Sequence, residues 1–128
     1  IFDNYEELED IINDFKPDLI GVSAMTFHKN FFHDAIKEIR NRGYEKMIVV
    51  GGPHPTTSYQ EVLEDKNIDV CVIGEGEATL AEIVDRLIKN EKKCLTYDDL
   101  NKIDGIAFNK TKFLEKFSNK TKFLEKSA

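Results

Sequence analysis

The feature that most constrains this chain is a short apolar run followed at once by a loop rich in glycine and proline. Met47 to Val50 are all apolar, and Gly51-Gly52-Pro53-His54-Pro55 follows directly. An apolar run of this length without alternation predicts a strand buried on both faces, as in a parallel sheet covered by helices. Glycine lets the loop adopt positive φ and lets a ligand approach the backbone. Because ligands of open α/β sheets bind at the carboxyl ends of the strands, we expect the functional site here.

The length and charge of the chain limit its function. With 128 residues there is room for one domain. The net charge of −6 argues against nucleic acid as the main partner, because phosphate binding needs clustered positive charge. No apolar run approaches the roughly 20 residues of a membrane span, and no signal-peptide pattern is present. Cys71 and Cys94 match no disulfide or zinc pattern, which favours the reducing cytoplasm.

Two further apolar runs, with helical patterns between them, predict an α/β domain. Leu19–Ser23 and Asp69–Ile73 read as buried strands, and Ile103–Phe108 reads as an antiparallel edge strand. We predict helices over residues 8–15, 30–42 and 80–88, and a short helix that begins near Ser58 with a capping box to Glu61. Residues 90–99 read as a polar linker. Right-handed crossovers between the three buried strands make them parallel.

The end of the chain contains a letter-for-letter repeat. Asn109–Lys116, Asn-Lys-Thr-Lys-Phe-Leu-Glu-Lys, recurs as Asn119–Lys126. Two polar copies cannot form a solenoid, which buries its core between several units. We therefore divide the chain into a domain over residues 1–108 and a repeated polar tail over residues 109–128. The first copy is expected to continue a hairpin from Phe108, and the second stays open between an extra strand, a helical tail and a remnant of cloning.

Three predicted strand ends converge on one edge of the sheet, and their loops supply the candidate ligand contacts. These residues are Ser23, Ala24, Met25, Thr26, Gly51, Gly52, Pro53, His54, Gly74, Glu75, Gly76 and Glu77. Bare backbone, small side chains and hydroxyl and amide donors suit a large planar or nucleotide-like ligand. The two glutamates precede a helix, whose dipole stabilises carboxylates whether or not they take part in catalysis. We predict no catalytic residue and no metal ligand, because no nucleophile–base pair or metal-ligand spacing occurs.

These segments resemble the cobalamin (B12)-binding domain that precedes radical S-adenosylmethionine (SAM) enzymes, of the anaerobic magnesium-protoporphyrin monomethyl ester cyclase type. The resemblance rests on Pro17–Ser23, Val49–Thr56 and Asp69–Glu77, in that order. It implies a Rossmann-like (flavodoxin-like) three-layer sandwich. It also implies that Ser23-Ala24-Met25 and Gly51-Gly52 admit the nucleotide tail of cobalamin, while the turn from Gly74 to Glu77 closes over it.

The sequence departs from the family pattern at three points. No Asp-x-His-x-x-Gly motif supplies a lower axial histidine, as is usual in the radical enzymes' version. No Cys-x-x-x-Cys-x-x-Cys motif occurs, so SAM and an iron–sulfur cluster are expected in the parent protein and not in this chain. The family's first strand and helix are missing before Ile1, so the fold is expected to be N-terminally truncated. A bare edge on the Leu19–Ser23 strand would then favour a homodimer.

The resemblance implies a cobalamin-binding module of a radical SAM enzyme that performs methyl transfer or oxidative cyclisation. The chain alone is not expected to be catalytic, and its partner would be the C-terminal radical SAM domain of the parent. Two alternatives stay open. A flavodoxin-like or regulator-like module would bind a nucleotide or flavin in the same crevice, and an interaction domain would keep the fold without a ligand.

Overall fold

The centre of the fold is a four-stranded mixed sheet. The computed structural model describes residues 9–23, 29–74, 76–90 and 95–116, without the side chains of residues 29, 30 and 54. The strands follow one another across the sheet in chain order: β1 (Leu19–Ser23), β2 (Met47–Gly51), β3 (Val70–Val72) and β4 (Ile106–Ala107). The first three are parallel, and β4 runs antiparallel to β3. The predicted α/β class, parallel sheet and antiparallel edge strand are confirmed.

Helical segments connect the strands. They are a π-helical segment (Ile11–Phe15), α1 (Lys29–Asn41), α2 (Pro53–Val62), α3 (Glu77–Lys89), α4 (Tyr97–Asn101) and α5, which comprises the described residues 110–116. Within the described ranges no helix is long and apolar enough to cross a membrane. The second copy of the tail repeat, residues 119–126, lies outside the described residues.

Strand β2 separates two apolar cores, as its uninterrupted apolar run predicts. Ile48 and Val50 pack into the first core, while Met47 and Val49 pack into the second. The first core receives Phe32, Ile36 and Ile39 from α1 and Val62 from α2, and the second receives Ile83 and Leu87 from α3. Helices therefore cover both faces of the sheet, which confirms the three-layer sandwich.

Helix α2 begins earlier than the sequence suggested. It starts at Pro53, and Ser58, predicted as the helix start, instead forms a kink with φ −131° and ψ 35°. Proline at the first helical position has a preset φ and loses no intrahelical hydrogen bond. The prediction was wrong because it assigned both prolines to the loop.

The first copy of the tail repeat forms a helix, so the predicted hairpin is wrong. The Oδ1 atom of Asn109 accepts a hydrogen bond from the backbone N–H of Lys112 at 3.0 Å, which caps the start of α5. Phe113 is buried in the second core. The repeat therefore supplies a cap and a core side chain at helical spacing, and this copy packs against the domain.

Lysine side chains fasten α5 to the end of the sheet where the parallel strands begin. The Lys112 ammonium donates to the backbone carbonyl oxygens of Leu63 and Ile68, at 3.4 and 2.8 Å, and also to that of Asp65. Lys116 Nζ lies 2.9 Å from Oδ1 of the buried Asp69. These contacts of Lys112 and Lys116 join residues that are more than forty positions apart in the chain.

Asp69 organises the same end of the sheet. Its Oδ2 atom accepts hydrogen bonds from the backbone N–H of Ile48 at 2.8 Å and from Arg40 Nη2 at 2.9 Å. The Asp69 side chain is only 3% exposed. A buried carboxylate needs such partners, because an unpaired charge inside a protein is strongly unfavourable.

The segment predicted as a polar linker is partly structured. Leu95, within the predicted linker, and Leu100, directly after it, are both 1% exposed, and α4 begins at Tyr97, inside the linker. Thr96 and Asp99 form a reciprocal capping box at the start of α4. Two isolated leucines in a polar stretch carry no periodic signal, and this explains the error.

Candidate functional site

The carboxyl ends of β1, β2 and β3 lie side by side at one edge of the sheet. Ser23 pairs with Gly51 in the parallel register of β1 and β2. Gly51 also borders β3, since a Cβ added to it would lie 3.8 Å from the Cβ of Val72. The structure thus brings together the described ends of the three loops that the sequence analysis singled out.

The backbone between β2 and α2 requires glycine. Gly52 has φ 108° and ψ −175°, a conformation that is essentially restricted to glycine. Its carbonyl oxygen accepts the backbone N–H of Thr56 at 3.1 Å. Pro53 and His54 follow in the first turn of α2. The strand therefore ends in two half-buried glycines, and the chain turns directly from them into a helix.

The turn after β3 also depends on glycine, for two different reasons. Gly74 has φ 76°, in the left-handed region that favours glycine. Gly76 is limited by space, because a Cβ there would lie 2.6 Å from Cγ1 of Val72. Gly76 precedes α3, and Glu77 is exposed at the first position of that helix. This turn therefore stays close to the end of β3.

Thr56 joins the two glycine-rich loops. Its Oγ1 accepts a hydrogen bond from the backbone N–H of Gly74 at 3.0 Å. This contact fixes the turn after β3 against the first turn of α2. Thr56 was absent from the candidate set, although it ends one of the segments on which the family resemblance rests. A hydroxyl directly after a Pro-His-Pro turn was the only signal that pointed to it.

The described helix starts at this edge are poor anion sites. Pro53 and Pro55 lack a backbone N–H in the first turn of α2, and Glu77 adds negative charge at the first turn of α3. Anions bind helix starts through free N–H groups and the positive end of the dipole. The edge is therefore better suited to a bulky ligand of low charge than to one held mainly by phosphate.

Several candidates cannot be placed. Ala24, Met25, Thr26 and Glu75 lie outside the described residues, and the side chain of His54 is not described. His33 Nδ1 lies 2.7 Å from Asp65 Oδ2, and Asp65 follows the C-terminal end of α2. Among the described residues, no group of three His, Cys, Asp or Glu side chains could hold a metal ion.

Cys71 lies in β3, close to this edge, but it is not a nucleophile. Burial raises the pKa of its thiol to about 12, an effect that Lys112 partly opposes. The thiol therefore stays protonated at neutral pH, and the thiolate is the reactive form. Cys71 contributes to the first core as a small apolar side chain.

A groove of about 490 Å³ lies elsewhere, between α2 and β4. Its walls include Tyr59, Leu63 and Phe108, and none of the candidate residues lines it. The described residues of the strand-end edge are not part of this groove.

Comparison with known proteins identifies the domain. A family model described as the B12 binding domain matches residues 2–84, a range that contains the ends of all three parallel strands. The chain belongs to the B12-binding domain family. This B12-binding domain is 40% identical over 91 residues to the anaerobic magnesium-protoporphyrin IX monomethyl ester cyclase of Synechocystis sp., which is 70% of this chain and 17% of that protein. It is 35% identical over 89 residues to an uncharacterized methyltransferase of Pyrococcus horikoshii, which is 69% of this chain and 19% of that protein.

A solved structure supports the same fold. The B12-binding domain resembles the N-terminal domain of a hypothetical protein from Thermotoga maritima, with a TM-score of 0.51 and 26% identity over 66% of both chains. The Rossmann-like architecture is thereby confirmed. The chain spans less than a fifth of the length of the two curated relatives named above.

Proposed function

We propose that this domain holds cobalamin against the carboxyl ends of β1, β2 and β3. The observation that carries the proposal is the bare backbone of this edge. Gly52 and Gly76 both exclude a Cβ, the first by its φ of 108° and the second by its distance to Val72. The nucleotide tail of cobalamin is bulky and carries a single phosphodiester charge. It therefore needs room and hydrogen-bonding groups more than a strong anion site.

Ser23 and Thr56 contribute to the hydrogen-bonding groups and the room that the nucleotide tail needs. Ser23 is exposed at the end of β1 and offers a hydroxyl group beside Gly51. Thr56 positions the turn after β3 through Gly74, and so keeps the two glycine-rich loops in a fixed arrangement. These residues bind and orient the cofactor, whereas bound cobalamin supplies a cobalt centre able to carry a methyl group.

We further infer that the parent protein is a cobalamin-dependent radical SAM enzyme that performs methyl transfer or oxidative cyclisation. The names of the relatives support this proposal, since they include an uncharacterized methyltransferase and a cyclase. SAM and an iron–sulfur cluster would then bind to a C-terminal radical SAM domain, the proposed partner of this module. A cytoplasmic location is proposed with it, in keeping with the reduced, buried Cys71.

The decisive experiment is a cobalamin titration, followed by visible absorbance, of the full-length protein that contains this domain and of this chain alone. Gly52→Ala is expected to weaken binding by tenfold or more, because the added Cβ forces the main chain out of its positive-φ conformation. The absence of a cobalamin spectrum in the full-length protein would overturn the proposal.

A matched control variant distinguishes the loss of a binding site from a general effect of backbone strain. Gly43 has φ 99°, has open space around its Cβ position, and lies after α1 at the opposite end of the sheet. Gly43→Ala should strain the backbone to a similar degree and leave cobalamin affinity unchanged. Equal losses in both variants would argue against a site at the strand ends. A parallel titration with flavin mononucleotide tests the flavodoxin-like alternative, and the poor anion sites at α2 and α3 predict no binding.

A further inference from the structure

The docked first copy of the tail repeat, α5 with its capping Asn109, meets the rest of the domain mainly through one helix face. Lys112 and Lys116 form the polar contacts described above, and Phe113 is 4% exposed in the second core. Together with Asn109 these residues have the spacing i, i+3, i+4 and i+7, which places them on one face. Leu114, the neighbour of Phe113, is 37% exposed. Four side chains in helical order therefore supply the main contacts of this segment.

The groups that receive this face belong to the domain and not to the repeat. They are the Phe108 ring, the Asp69 carboxylate and the backbone carbonyl oxygens of Leu63, Asp65 and Ile68. We call these five groups the α5 site. The centroid of the Phe108 ring lies 6.0 Å from that of Phe113. All five groups precede Asn109 in the chain, so the site stays the same whichever segment lies in it.

The second copy of the repeat presents the same four side chains at the same spacing. They are Asn119, Lys122, Phe123 and Lys126. The helix cap is reproduced as well, because the hydrogen bond from Lys112 to Asn109 joins two residues of one copy. Lys110, whose ammonium group lies 5.1 Å from the centroid of the Tyr97 ring, has its counterpart in Lys120. The two segments therefore have equal intrinsic affinity for the α5 site, and only their connection to the domain distinguishes them.

The connection to β4 favours the first copy. Asn109 directly follows Phe108, so the first copy docks without an intervening loop. Docking of the second copy would make residues 109–118 a loop of ten residues. Because the statistical weight of a loop falls with the 3/2 power of its length, this loop lowers the occupancy by the second copy roughly thirtyfold. The first copy therefore predominates, in agreement with the structure.

We propose that the two copies of the repeat are interchangeable occupants of the α5 site within one chain. The first copy fills the site in the undisturbed protein, and the second replaces it when the first is displaced or altered. Both copies cannot dock together, because Phe113 already fills the buried position that Phe123 would take. The exchange inserts ten residues between β4 and the docked helix, and so changes the length of the connection without changing the sheet.

The second copy of the same chain is a better occupant than a repeat from another molecule. A segment attached by a short flexible linker has an effective concentration in the millimolar range, well above the micromolar concentrations of a typical solution experiment. The charges match as well, because the lysines of the second copy would meet the same carbonyl oxygens and the same Asp69 carboxylate. The exchange therefore adds no contact between molecules.

Hydrogen exchange followed by mass spectrometry tests the proposal on the full chain. In wild type, the backbone amides of the first copy should be protected, and those of the second should exchange as in an unfolded peptide. Phe113→Ser removes the buried ring from the first copy, and the loss of such a side chain weakens docking by more than the roughly thirtyfold cost of the loop. We therefore expect protection to leave residues 112–116 and to appear over residues 122–126, where exchange should slow by about tenfold or more.

Other variants separate the possible outcomes. Leu114→Ser, at the exposed neighbour of Phe113, is the matched control and should leave protection on the first copy. Phe113→Ser combined with Phe123→Ser should leave neither copy protected. Loss of protection from the first copy without a gain in the second would overturn the proposal, and so would protection of both copies in wild type. A Phe113→Ser variant that dimerises in sedimentation velocity while wild type does not would overturn it in favour of exchange between molecules.

Urea unfolding supplies a second measurement. With the first copy docked, Phe123→Ser should change the folding equilibrium constant by less than about twofold. In the Phe113→Ser background the same substitution should lower this constant by about tenfold or more, because the second copy then fills the site. Equal effects of Phe123→Ser in the two backgrounds would contradict the exchange.

Discussion

Gly76 lies so close to Val72 that its missing side chain decides the shape of the turn after β3. A Cβ at position 76 would lie 2.6 Å from Val72 Cγ1, whereas one at Gly51 would meet the Val72 Cβ at an ordinary 3.8 Å. The two positions border the same valine from different strand ends. They therefore form a natural pair for comparison.

We predict that Gly76→Ala lowers the free energy of unfolding by about 1 to 3 kcal/mol, the usual cost of forcing extra volume into a packed site. Gly51→Ala should change it by less than about 1 kcal/mol, since its neighbour stays at contact distance. Urea unfolding measures both. Val72→Ala removes the clashing methyl group, so combining it with Gly76→Ala should recover part of the loss in a double-mutant cycle. Additive losses would contradict the proposed clash.

Single residues also show the limits of reading the site from sequence. The glycines at positions 51, 52, 74 and 76 were predictable, because strand ends followed by glycine have a restricted set of structural explanations. Thr56 was not, because its role depends on a hydrogen bond to Gly74, 18 residues away. Whether these residues contact a ligand stays a prediction.

One of the two lysines that fasten α5, Lys112, donates to backbone carbonyl oxygens. Lys112 donates to Leu63, Asp65 and Ile68, and burial lowers the pKa of its ammonium group. We predict that Lys112→Met lowers the free energy of unfolding by about 1 to 3 kcal/mol, because buried carbonyl oxygens lose their donor. Lys66→Met, at an exposed position, should change it by less than about 0.5 kcal/mol. An equal effect of both substitutions in urea unfolding would show that α5 is not fastened by Lys112.

The capping box of α4 predicts a loss of stability in acid. Burial by itself would raise the pKa of Asp99, but hydrogen bonds from Thr96 and Asn90 lower it below the ordinary 3.8. A lowered folded-state pKa gives a contribution that is complete above the unfolded pKa and is lost as pH falls through the folded pKa. Wild type should therefore lose more stability below about pH 4 than Asp99→Asn does. Asp98→Asn, on the exposed side of α4, is the control, and identical pH profiles for all three proteins would refute the assignment.

At the level of elements, periodic apolar patterns were reliable and isolated signals were not. The buried strands and helix α1 were predictable because each has its own uninterrupted or periodic run. Helices α4 and α5 were missed, since each buries only one or two apolar residues within a polar sequence. Their stability depends on contacts with distant parts of the chain, such as that of Lys116 with Asp69.

For the whole molecule, the order of strands and helices was enough to predict a three-layer α/β domain whose parallel strands end at one common edge. The exposure of one flank of α3, formed by Leu80, Val84 and Ile88, was beyond sequence analysis. The apolar pattern over residues 80–88 predicted the helix, but not which of its apolar side chains would be buried, as Ile83 and Leu87 are. Which flank meets the sheet depends on the position of α4 and β4, and that follows only from the assembled fold.

The sheet order has a consequence for folding kinetics. Each strand of the described sheet pairs with the next strand in the chain. The parallel pairings join residues 28 positions apart, as Leu19 with Met47, and 21 positions apart, as Val49 with Val70. Closing these loops costs less conformational entropy than closing the longer loops fastened by α5. The bonds from Lys112 and Lys116 span 44 to 49 residues and join groups that converge only after β2 and β3 have paired. Docking of α5 should thus follow the transition state, so that its removal accelerates unfolding while the folding rate stays nearly constant.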